Sequence, residues 1–167
     1  MQSETKALTL QGIVAGIVGY AAVVVFYAIV NVVAGRSIFY TAAVLGSALF
    51  EGVTSSGAVD VATGPVATYN MVHLLFFLAL GLLGVFVAAE TERFPALWYL
   101  GFLSVVVVGG SVLMAVFFFA APLFGGAWWQ LAVASLLAAA LMAWYLLSRH
   151  PRLRRELGEI KQSDLYA

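Results

Sequence analysis

Charge is absent from three long stretches of this chain, 7–35, 61–89 and 94–148. A helix rises about 1.5 Å per residue, so roughly 20 apolar residues cross a hydrocarbon layer about 30 Å thick. The first two runs are each long enough for one crossing. The third is nearly twice as long, and Pro122 followed by Gly125-Gly126 supplies a break where a helix would stop and a turn is easy. The runs predict four transmembrane spans, at about 9–34, 66–89, 95–120 and 127–147, within one domain covering 1–167. An external segment at 36–64 and a basic cytoplasmic tail at 149–167 complete the expected layout.

Composition points the same way. Of the residues, 63% are hydrophobic and 10% charged, against about 25% charged in an ordinary soluble domain. Val23 to Val25 and Val105 to Val108 are β-branched, yet they are apolar on every face, whereas a barrel strand alternates. Backbone groups in lipid must be satisfied within the segment, which selects helix over strand. The expected fold is therefore all-α: an integral membrane four-helix bundle with a short extra interfacial helix in its first external connection.

The cations set the orientation. Lys6, Arg93, Arg149, Arg152, Arg154, Arg155 and Lys161 fall on one side of the spans and only Arg36 on the other, so the positive-inside rule places both termini in the cytoplasm. Aromatic residues mark the same boundaries, with Trp98, Tyr99, Trp144 and Tyr145 inside and Tyr40, Tyr69, Trp128 and Trp129 outside. The start, Met-Gln-Ser-Glu-Thr-Lys, lacks a basic leader region and precedes too long an apolar run for a signal peptide, so it reads as a retained span. The expected location is a bacterial or archaeal inner membrane.

The external segment contains a second short apolar stretch, 37–50. Ser37 can cap a helix in which Ile38, Ala42, Leu45 and Leu49 share an apolar face and Tyr40, Ser47 and Glu51 a polar one. That helix is expected on the outer interface or tucked against the bundle, and the Thr63-Gly64-Pro65 run is expected to start the second span.

Small residues recur one turn apart in three spans: Gly12 and Gly16, Gly81 and Gly84, Ala134 and Ala138. Lipid offers helices no hydrophobic reason to meet, so they gain contact by close approach over small side chains. These six positions are candidate interface residues, serving either the bundle itself or other membrane-embedded subunits.

Polar residues inside spans are costly and need a partner or a purpose. Tyr20, Tyr27 and Asn31 lie on one face of the first span, and Tyr69, Asn70 and His73 cluster in the second. Tyr27, Asn31, Asn70 and His73, closed over by Glu51 or Asp60, form the candidate ligand-binding site. A hydrogen-bond network that fixes helix register is its structural alternative; a quinone head group, a lipid or an ion is its functional one.

Other chemistry is set aside on residue type. With no cysteine there is no disulfide, thiolate or iron–sulfur ligation. The two histidines, His73 and His150, are expected at opposite membrane faces, which excludes bis-histidine haem within one chain. Phosphate loops, nucleophile elbows and His-Glu-x-x-His helices are missing, and no broad basic face suits nucleic acid. No catalytic residue, metal site or cofactor is expected, only bound lipid or quinone. The sequence thus points to a non-catalytic accessory or assembly subunit of a larger membrane complex, of electron-transfer or transport type, with lipids and other subunits as partners. The alternative is a protein that binds or transports a small molecule through the cluster around His73.

Overall fold

The computed structural model describes residues 2–54, 59–94 and 128–151. The expected span at 95–120, with Trp98, Tyr99 and Pro122, lies outside the described residues, as does the tail beyond 151. Four helices occur among the described residues and no strand: α1 Gln2–Val33, α2 Tyr40–Phe50, α3 Thr63–Arg93 and α4 Trp128–Arg149. Of these, α1, α3 and α4 are long and apolar enough to cross a membrane.

Both α1 and α3 run past the expected ends. α1 begins at Gln2 rather than near residue 9, and α3 continues to Arg93 rather than stopping near 89. The charged residues of Glu90-Thr-Glu-Arg mark a boundary for burial in lipid, but glutamate and arginine are good helix formers and carry the helix one turn farther. Glu90 and Arg93 pair across that turn at 3.4 Å.

The helix α1 is the central element, antiparallel to both α3 and α4. Its Gly12 lies against Leu82 and Val85, its Gly16 against Phe77 and Leu78, and its Gly19 against Phe77 and Met142. Farther along, Ala22, Val23 and Tyr27 pack with Phe77, Ala134 and Ala138 in the core. Gly12, Gly16, Gly81, Ala134 and Ala138 are thus buried between helices of this chain, and Gly84 is half-buried with only the Leu146 tip near it. Gly81 closes the pattern, its α-carbon directed at the backbone of Gly12 and Gly16. Such backbone-to-backbone contact is what a missing side chain permits.

The chain leaves α1 through a Schellman turn. Arg36 N–H donates to the Asn31 carbonyl at 2.8 Å and Gly35 N–H to the Val32 carbonyl at 3.0 Å, across Gly35 with φ +67°. A bend at 38–39 follows, in which the Ser37 hydroxyl accepts from Phe39 N–H at 3.3 Å. The α2 helix then starts at Tyr40, later than the 37–50 stretch suggested.

The buried face of α2 also differs from the expected one. Thr41, Val44, Leu45 and Ser47 are buried, whereas Ile38 and Leu49 keep 50% and 60% of their surface exposed. The helix is held against the start of α3, where Gly46 meets the Pro65 backbone. Close approach needs small side chains, so Thr41, Ala43, Gly46 and Ser47 turn inward together with Val44 and Leu45, while Ile38 and Leu49 at the two ends turn out.

Candidate functional site

Tyr20, on α1, reaches across to α3 because the Gly12, Gly16 and Gly81 contacts fix the antiparallel register of the two helices. Its hydroxyl donates to Asn70 Oδ1 at 2.8 Å, and the Asn70 amide donates to the Val66 carbonyl at 2.8 Å. One turn along α3, the His73 ring sits among three aromatic neighbours. Ring centroids lie 5.8 Å from Tyr20, 5.1 Å from Tyr69 and 5.0 Å from Phe77, with the Tyr20 and Phe77 rings meeting it edge-on.

Above these rings lies a cavity of about 190 Å³, walled by Tyr20, Val23, Val24 and Tyr27 from α1 and by Tyr69, Asn70 and His73 from α3. Its third wall is the corner after α1 and the start of α2: Ile38, Phe39, Thr41 and Ala42. Such a volume holds about six waters or one substituted six-membered ring. Among the described residues no aspartate, glutamate, lysine or arginine lines it.

Three residues expected in the site, Tyr27, Asn70 and His73, therefore share one cavity. Asn31 stands beside it and is fully used: its amide donates to the Ile38 carbonyl at 3.2 Å and its oxygen accepts from the Thr41 hydroxyl at 3.0 Å. It holds the corner that forms the third wall. Glu51 and Asp60 are exposed and line no part of the cavity. The residues added by the structure are Tyr20, Tyr69 and Thr41. The first two carried a signal in the sequence, Tyr20 through its spacing of seven from Tyr27 and Tyr69 through its place beside Asn70.

Hydrogen bonding within the site is uneven. Tyr20, Asn70, Asn31 and Thr41 are partnered, but among the described residues His73 makes ring contacts and no hydrogen bond. The half-buried imidazole and the Tyr69 phenol, for which the same holds, are thus the cavity groups with bonding capacity to offer among the described residues.

The second histidine lies elsewhere. His150, just past α4, places Nδ1 3.0 Å from Glu92 Oε2 at the end of α3, tying the two helix ends together. From His73 to Glu92 along α3 is about 28 Å at helical rise, so one metal centre cannot take both imidazoles. Among the described residues no group of three or more histidines and carboxylates is placed to hold a metal ion. The chain matches no protein-family model, no curated protein and no solved structure.

Proposed function

We propose that this chain is a multi-pass membrane protein, both ends cytoplasmic, that binds a small molecule in the outer half of the bilayer and does no chemistry on it. The observation that carries this reading is the cavity beside His73, where a polar ring system, its imidazole without a hydrogen bond among the described residues, opens inside an otherwise apolar set of helices. A polar group at that depth is costly unless something bonds it. The close approach of α1 and α3 at Gly16 and Gly81 supports binding over conduction, because it shuts the space beyond the rings. A carrier would need a polar path to the midplane.

His73→Leu tests the reading. Small molecules extracted from the purified wild-type protein and weighed by mass spectrometry should include at least one species that the variant has lost. An unchanged inventory at equal protein recovery would remove His73 from any binding role.

A second reading keeps the chain as an accessory subunit of a larger electron-transfer or transport assembly. Its support is the outward apolar face of α4, where Leu136 and Trp144 keep 70% and 69% of their surface exposed; such a face suits a neighbouring helix as well as lipid. Native mass measurement in mild detergent should then find a heavier species containing other chains. A clean monomer or homo-oligomer rules that out.

A further inference from the structure

Resting on the binding reading above, we infer that the cavity takes an uncharged, ring-sized head group carried on an apolar tail, and that the ligand reaches it sideways from the lipid. Three features of the walls lead there.

The first is charge. Among the described residues every polar side chain in the lining is a phenol, a hydroxyl, an amide or an imidazole, and none is an ammonium, guanidinium or carboxylate. A phosphate or carboxylate head would be buried without a counter-charge, which costs far more than burying a hydrogen-bonded neutral group. A metal ion would find a single imidazole.

The second is shape. About 190 Å³ admits one substituted six-membered ring, and aromatic edges and faces from Tyr20, Tyr69 and Tyr27 surround the space in which a flat ring would lie. The His73 imidazole, lacking a hydrogen bond among the described residues, is placed to donate to or accept from an oxygen on that ring. The Thr41 hydroxyl and the Tyr27 and Tyr69 phenols are the other polar groups of the lining that a second oxygen on that ring could meet.

The third is the rim. Val24, Ile38 and Phe39 line the cavity and yet keep 38%, 50% and 50% of their surface exposed, whereas Tyr27 and Thr41 keep 8% and 6%. The mouth is thus apolar and the depth polar. A hydrocarbon tail leaving over Val24, Ile38 and Phe39 would remain in an apolar setting, and a free polar metabolite would gain nothing there. A benzoquinone with an alkyl tail has all three properties: a neutral ring, oxygens on opposite edges and an apolar chain.

The chain has two histidines, so protein made with isotope-labelled histidine shows two imidazole signal sets, and His73→Leu assigns them. In bilayer discs of neutral phospholipid, a benzoquinone bearing a decyl chain should shift the His73 signals saturably and leave those of His150 unmoved. Decylbenzene, which shares ring and tail but not the oxygens, should bind about threefold to tenfold more weakly, the value of one hydrogen bond. Decyl phosphate should not shift the signals. Tyr69→Phe, which keeps the ring and its packing, tests whether the phenol contributes; wild-type affinity in that variant assigns recognition to His73 alone and keeps the proposal. Saturable binding of decyl phosphate as tight as the quinone would overturn the neutral-head inference and leave a binding cavity standing. Failure of all three probes to shift His73 would overturn both.

Discussion

Gly81→Val is expected to drive α1 and α3 apart and to destabilise the protein by about 3 kcal/mol or more. A Cβ at Gly81 would meet the Gly12 carbonyl oxygen and would lie 2.5 Å from Gly16 N and 2.9 Å from Gly16 Cα. Those are backbone atoms of a helix and have no rotamer to retreat into. Overpacking among side chains costs about 1–3 kcal/mol because they can shift; here the helix axes themselves must separate. Gly84→Ala is the matched control, since its Cβ would meet only the flexible tip of Leu146, at 3.1 Å. Thermal unfolding in one detergent, followed by helical circular dichroism, should show a large drop in Tm for Gly81→Val and little change for Gly84→Ala. Equal Tm values for the two variants would mean that α1 and α3 do not meet along this face.

Asn31→Ala is expected to be nearly as damaging, for a different reason. Asn31 is 2% exposed and its side chain makes two bonds, to the Ile38 carbonyl and the Thr41 hydroxyl. Cutting it back leaves both partners unpaired, at about 1–3 kcal/mol for the buried Thr41 hydroxyl and less for the part-buried Ile38 carbonyl. A loss of about 2–4 kcal/mol follows, and the corner carrying Ile38, Phe39, Thr41 and Ala42 loses its anchor. Quinone-type binding should therefore weaken along with Tm. Asn31→Asp separates the two bonds: it keeps an acceptor for Thr41 but turns an anionic oxygen toward the Ile38 carbonyl, and it should be at least as unstable as the alanine variant. A wild-type Tm for Asn31→Ala would show that the corner is held by something else.

These two residues also show where the sequence was readable. The helices α1 and α3 follow from run length alone and α4 from run length with the break at Pro122 and Gly125-Gly126, because an apolar backbone run satisfies itself best as helix. The small-residue faces were visible too, but not what they face. Gly12, Gly16 and Gly81 could have served other chains equally well, since spacing along one helix says nothing about the register of its neighbour. That register brings Tyr20 to Asn70, so the Tyr20–Asn70 bond was hidden although both residues stood out as polar groups in apolar runs.

The α2 helix forms where the apolar stretch predicts one, but only Leu45 of its expected apolar face is buried. In a soluble protein Ile38 and Leu49 would turn inward and Ser47 outward. Here Ser47 and Thr41 are buried beside Val44 and Leu45, and Ile38 and Leu49 are exposed, because the small residues win the close contact with α3 at Gly46. Glu51 and Asp60, expected to close over the site from the external segment, remain exposed and line no part of the cavity.

The threading of the chain through the bilayer is the claim on which the rest depends, and the lack of any native cysteine makes it directly measurable. Single cysteines at Ser3, Asp60, Arg93 and Ser163 can each be challenged in intact cells with a membrane-impermeant maleimide. Labelling of Asp60→Cys alone, with the other three reacting only after the membrane is opened, is the predicted result. Reaction of Ser3→Cys and Ser163→Cys from opposite sides, or protection of Asp60→Cys in sealed cells, would contradict it.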